Sequence, residues 1–176
     1  REAGAILREA FGAACQIEYK GAVDLVTEYD HISEQHILSR LQTLFPEHSF
    51  RAEESGLTSA RAESPFEWLV DPIDGTTNFA HSFPFFAVSI ALLEAGSPIV
   101  AAVYDPVRDE LFAASPDGAA ALNGEAIKVS STARLDHALM ATGFPYDVRT
   151  HARNNLAEFN RMALLAQGVR RPGSAA

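Results

Sequence analysis

The segment from Phe66 to Ala114 constrains the fold most: "FEWLVDPIDGTTNFAHSFPFFAVSIALLEAGSPIVAAVYDPVRDELFAA". Apolar runs of strand length are broken only by brief turn-forming clusters, Ala95-Gly96-Ser97-Pro98 and Asp105-Pro106 among them. Runs this short, joined this tightly, bury themselves best as neighbouring antiparallel strands. "FEWLV" reads as a buried strand ending at Asp71, and the stretch beyond "DPIDGTTNF" reads as three more strands, with "FPFFAVSIALL" a core run. "ALNGEAIKV" adds a hairpin turning at Asn123-Gly124, a residue pair that tolerates positive φ at both central positions.

Helical spacing precedes this region. Ile6, Leu7, Ala10, Phe11 and Ala14 align over residues 3–14, and Ile37, Leu38, Leu41, Leu44 and Phe45 align over 33–45 before Pro46. Cys15 lies in helix-like sequence and reads as a small buried hydrophobe. "HSFRAEESG" reads as a short strand entering a loop, and the polar stretch from Gly56 to Glu63 as a surface loop. A strand, "ALMATGF", and a helix over about 154–166 come last. Helices followed by antiparallel strands imply an α+β fold. The expected division is an α+β domain over residues 1–134 and the start of a second, α/β domain over 135–176. Because the chain opens at Arg1 within helical sequence and stops at "GSAA", continuation on both sides is expected.

Charge narrows the function. A formal net charge of -9 argues against nonspecific binding to nucleic acid or to an anionic membrane. No apolar stretch is long enough to cross a bilayer, and no secretory pattern opens the sequence. A single cysteine excludes an intrachain disulfide and fits a cytoplasmic protein. An acidic protein handles a phosphate best when bound cations reverse the local field.

"DPIDGTT" is where such cations fit. Asp71 and Asp74 flank a Pro72-Ile73 turn that brings both carboxylates to one side with the Ile73 carbonyl between them. Like charges this close repel unless a cation, a proton or solvent intervenes. The donors are all hard oxygens, which suit Mg²⁺ rather than Zn²⁺, and "AEESG" offers Glu53 and Glu54 nearby, with Glu54 read as a solvated neighbour. A calcium loop fails on spacing, since Gly75 is fifth from Asp71 and the twelfth residue is Ser82. A turn whose carboxylates merely cap local backbone N–H groups stays open on spacing alone. Gly75-Thr76-Thr77-Asn78 favours the ligand-binding reading, because glycine lets backbone N–H groups approach an anion at the start of a short helix. Metal-assisted phosphoryl transfer follows as the leading chemistry. The six histidines show no metalloprotease spacing, and no Walker loop is present.

"WLVDPIDGTTNF", with "AEESG" and "DLVTEYD" upstream and "RRPGSAA" at the end, resembles the inositol monophosphatase family of Mg²⁺-dependent, lithium-sensitive phosphatases. The resemblance implies a layered α-β-α-β-α fold, a homodimer, and two or three Mg²⁺ ions per active site. It implies that Glu53, Asp71 and the Ile73 carbonyl hold the ion that activates water, and that Asp71 and Asp74 share a second. Thr76 and Asp30 match the pair that orients and deprotonates the water, with Glu53 also catalytic. Ile73, Asp74, Gly75 and Thr76 match the phosphate-binding stretch, while Gly173, Ser174 and Ala175 match residues lining the alcohol end. Lys20 matches a lysine near the metals, and Asp30 has the alternative of a helix cap. The family's W-D-x-A-A-G motif, which completes the second metal site, does not occur in these residues. The implied substrate is a small phosphate monoester, inositol 1-phosphate or a related sugar phosphate. Superfamily alternatives are fructose 1,6-bisphosphate, histidinol phosphate, 3'-phosphoadenosine 5'-phosphate and NADP, and a non-enzymatic alternative is a regulatory partner of the transcription machinery.

Overall fold

The computed structural model describes residues 1–21, 24–59 and 64–176. Two helices, α1 (Glu2–Ala10) and α2 (Glu28–Leu44), pack on each other, and α2 lies against the sheet. The strands are β1 (Ile17–Tyr19), β2 (Leu25–Thr27), β3 (Ser49–Ala52), β4 (Gly56–Ser59) and β5 (Phe66–Asp74), followed by β6 (Ala87–Glu94), β7 (Ser97–Asp105) and β8 (Glu110–Ala114). After these come β9 (Ala121–Leu122), β10 (Glu125–Ala126), β11 (Leu139–Ala141) and β12 (Gly168–Arg170). Helix α3 (Thr76–Ala80) follows β5, and α4 (Leu156–Leu165) sits between β11 and β12.

One sheet runs β10-β9-β8-β7-β6-β5-β3-β4. Every neighbour pair in it is antiparallel except β3 and β5, which run parallel. β1 and β2 form a hairpin, and β11 pairs in parallel with β12 in a sheet of its own. This is the mixed α+β fold expected. The core lies between the helices and β3, β5 and β6, where Leu7, Ile37, Ala52, Val70, Ile73, Phe79, Phe86 and Val88 meet. Leu7, Ile73 and Phe86 are almost wholly sealed from water, each contributing about 1.5–3 kcal/mol by burial. Ile73, in the middle of the acidic motif, is therefore an anchor for its neighbours.

Several local expectations need correction. The first helix ends at Ala10, so Cys15 is half-buried in irregular chain outside it. Helix α2 starts five residues early because Thr27 and Asp30 form a capping box: Thr27 accepts from the Tyr29 N–H, and Asp30 accepts from Thr27 N at 2.7 Å. Asp30 thus lies inside the first turn, not before it. The buried stripe of α2 is Asp30, Ser33, Glu34 and Ile37, while Leu44 and Phe45 are exposed. Gly56–Ser59 is strand β4, its backbone paired with β3, and the rest of the expected loop lies outside the described residues. Ala95 and Gly96 alone turn the chain, so Ser97 and Pro98 already belong to β7. The Asn123-Gly124 turn takes positive φ at both residues, as expected.

Candidate active site

The acidic motif is a bulged strand rather than a turn. Asp71 pairs with Ser89 and Asp74 with Ala87, so Pro72 and Ile73 together oppose the single residue Val88. In a regular strand, residues three apart face opposite ways. The extra residue shifts the alternation by one, which allows Asp71 and Asp74 to serve the same face. Proline suits the place because it has no N–H to give to a ladder. Pro72 instead offers its carbonyl to the Ser33 hydroxyl at 3.1 Å.

Asp71 is the most perturbed group. Burial first, then the charges of Glu53 and Asp74, push its carboxyl up to about 8. Its Oδ1 is buried with no hydrogen-bond partner among the described residues. Glu53, held by its N–H to Val70 O at 3.1 Å, presents its carboxyl within proton-sharing reach of Asp71. Desolvation raises Glu53 too. Asp74 is turned elsewhere: it accepts from Ala175 N at 2.8 Å and from Ala176 N. Among the described residues no three acidic, histidine or cysteine side chains are grouped so as to hold a metal ion.

Thr76 links two parts of the site. Its Oγ1 lies 2.9 Å from Asp30 Oδ1 and 3.0 Å from the Ile73 carbonyl, and both oxygens can accept its proton. The other Asp30 oxygen is fixed by Thr27 N and by Thr27 Oγ1 at 2.6 Å. Burial raises the Asp30 carboxyl, against the lowering effect of its bonds from Thr27 and Thr76. Gly75 makes the step from strand to helix at φ 106, where a side chain is strained. A Cβ there would also sit 3.1 Å from Phe85 O and 3.3 Å from Ser174 Cβ.

Three features escape the sequence reading. Asn78 donates from one amide to Phe85 O at 2.7 Å and Pro172 O at 2.8 Å, which brings Gly173, Ser174 and Ala175 beside Asp74 and Gly75. Glu54 is not a solvated neighbour: its side chain is 4% exposed and bonds Lys20 Nζ at 2.6 Å. Desolvation pulls the Lys20 ammonium down, but Glu54, Glu53 and Asp24 outweigh it and leave it raised. A cleft of about 570 Å³ opens from Asp74, Thr77 and Asn78 towards Tyr146, Arg149 and Arg171. Of its two arginines, Arg171 belongs to the quoted "RRPGSAA" segment, whereas no local pattern marks Arg149.

Comparison with known proteins bears on the family and the fold. Residues 1–176 match the family model described as "Inositol monophosphatase family". The chain is 49% identical over 175 residues to "Inositol-1-monophosphatase" of Synechocystis, covering 99% of this chain and 61% of that one. It is 43% identical over 164 residues to "Nus factor SuhB" of Pseudomonas aeruginosa, covering 90% and 60%. The solved structure of inositol monophosphatase from Anabaena superposes with a TM-score of 0.86 at 42% identity, covering 99% and 63%. The chain thus spans about three fifths of the length of these relatives. With a family match along all of its residues and a shared fold, the chain belongs to the inositol monophosphatase family.

Proposed function

We propose that the protein is a Mg²⁺-dependent phosphatase that hydrolyses inositol 1-phosphate or a related polyol or sugar phosphate. The observation that carries the reading is Asp71: a buried carboxyl oxygen without a partner among the described residues, beside Glu53 and under the charge of Asp74, asks for a cation. In its chemistry the donor set fits, since Glu53, Asp71, Asp74 and the Ile73 carbonyl supply only hard oxygens, with Asp74 having to turn from Ala175 and Ala176 to join it. These four would hold the Mg²⁺ ions. Bound there, the ions supply charge neutralisation and make water a better nucleophile at neutral pH.

The chain's own groups prepare the rest. Thr76 Oγ1 carries one proton and faces Asp30, so a water beside it can pass a proton to Thr76 as Thr76 passes its own to Asp30. Thr27 fixes the Asp30 carboxylate for that role, and burial makes it a stronger base than an exposed aspartate. The first-turn N–H groups of α3 have no acceptor within the helix and supply donors for phosphate oxygens beside Gly75. The 173–175 segment and the cleft beyond it give the alcohol a place to lie. Lithium sensitivity, a homodimer and a cytoplasmic setting go with this reading on family membership alone.

Phosphate release from inositol 1-phosphate by the full-length protein, with and without Mg²⁺, tests the proposal. A panel with fructose 1,6-bisphosphate, histidinol phosphate, 3'-phosphoadenosine 5'-phosphate and NADP ranks the substrates. No Mg²⁺-dependent release from any ester would defeat it. A second reading, a regulatory partner of the transcription machinery, draws on the relative named "Nus factor SuhB". Asp74→Asn separates the two, because it should abolish turnover and spare partner binding.

A further inference from the structure

The buried stripe of α2 is unusual for a surface helix. Asp30, Ser33 and Glu34 are 1%, 0% and 4% exposed, and they stand at positions i, i+3 and i+4, where a helix normally presents apolar side chains. Burying polar groups costs free energy unless each finds a partner. All three do, and each partner belongs to a different segment of the proposed site. Asp30 Oδ1 accepts from Thr76 at 2.9 Å, at the start of α3. Ser33 Oγ donates to Pro72 O at 3.1 Å, inside the bulge between Asp71 and Asp74. Glu34 accepts from Glu54 N at 2.8 Å with Oε2 and from Ser55 N at 2.9 Å with Oε1, in the turn that presents Glu53.

We propose that Ser33 and Glu34 are positioning residues, through which one rigid helix face sets the distance between the Glu53 turn and the Asp71–Asp74 bulge. The inference rests on the metal-dependent reading above and deepens it. Glu53 and Asp71 lie along different strands, β3 and β5, each just beyond the last residues that pair the two, Ala52 and Val70. Backbone pairing ties Glu53 N to Val70 O on the sheet side. Glu34 ties the next two residues on the helix side, so the turn is gripped from both directions. Neither Ser33 nor Glu34 needs to touch an ion or a substrate, and their effect passes through backbone atoms.

Two aligned N–H donors explain why the gripping residue is a glutamate. A carboxylate accepts both at once. Glutamine, of the same size, has one acceptor oxygen and would set its NH₂ against the second N–H. Glu34→Gln therefore loosens the turn without emptying the space.

The test uses full-length protein and two readouts. Free Mn²⁺, measured by its electron paramagnetic resonance signal, reports cation affinity without turnover. Glu34→Gln should weaken Mn²⁺ binding about 10- to 100-fold, the range usual for groups that orient metal ligands. Turnover should then need correspondingly more Mg²⁺, recover as Mg²⁺ is raised, and keep its KM for the ester. A side chain that served only stability would lower the melting temperature and leave the affinity of the folded protein unchanged. Wild-type Mn²⁺ affinity in folded Glu34→Gln would overturn the inference. If that variant does not fold, Ser33→Ala carries the test: affinity should fall about two- to tenfold, the worth of one neutral hydrogen bond, and no fall overturns the proposal. A wild-type protein that takes up no Mn²⁺ takes down the metal reading and this inference together. Normal wild-type uptake with unaltered variants takes down the inference alone.

Discussion

Replacing Asp71 with asparagine should stabilise the metal-free protein, and increasingly so as pH rises. The carboxyl moves from 3.8 to about 8 on folding. Between those values the folded chain keeps a proton that the unfolded chain has released. Stability therefore falls as pH rises through that window and levels off above about pH 8. At about 1.4 kcal/mol per unit, the shift sets a ceiling of about 6 kcal/mol. Asp71 shares its proton with Glu53 and keeps some contact with water, so a gain of about 1–3 kcal/mol is the working expectation. The amide introduced by Asp71→Asn would hold the same shape, carry no charge, and donate to Glu53 at every pH. For a chain of this size that gain is about 3–10 °C in melting temperature at pH 8 in the presence of chelator. Thermal melts of both proteins from pH 5 to pH 8 supply the assay, and the difference between them cancels the other titrating groups. Added Mg²⁺ should raise the melting temperature of the wild type and leave Asp71→Asn where it was. Parallel pH profiles, or a variant that melts lower at pH 8 without metal, would refute the reasoning.

Two further outcomes are expected from single substitutions. Thr76→Val removes the hydroxyl between Asp30 and the Ile73 carbonyl, and kcat for phosphate release should drop about 10²- to 10⁴-fold, whereas Thr76→Ser should retain most of it. Asn78→Ala deprives Phe85 O and Pro172 O of their donor and should cost about 1–3 kcal/mol in denaturant melts. Hydrogen exchange in that variant should speed up at Ala175, whose N–H is held by Asp74.

What could be read in advance depended on whether the cause was local. The strands from β5 to β8 were legible because each is an apolar run between turn residues, and the Asn123-Gly124 hairpin because two adjacent residues decide it. Asp30 and Thr76, 46 positions apart, are joined by a hydrogen bond that no local pattern marks. The bulge reads as a turn in the sequence because the phase of Asp71 and Asp74 depends on their register against Ser89 and Ala87. Glu54 reads as solvated in the sequence because its partner, Lys20, stands 34 positions away. Hydropathy picks Ile37, Leu38 and Leu41, which do pack on the core, but also Leu44 and Phe45, which are exposed, and it passes over Asp30, Ser33 and Glu34. A search for apolar periodicity passes over a face made of satisfied polar groups. Asn78 stands out in the sequence only as part of the Gly75–Asn78 run, because its bridging role depends on two carbonyls brought near by the tertiary fold.

The bond from Ala175 N to Asp74 joins residues 101 positions apart. On a ribosome adding about 5–20 residues each second, Asp74 is made roughly 5–20 s before its backbone partner. The β-bulge is defined against β6, whose last residue, Glu94, is made well before Ala175. During translation Asp74 is therefore without this backbone partner until the chain reaches Ala175.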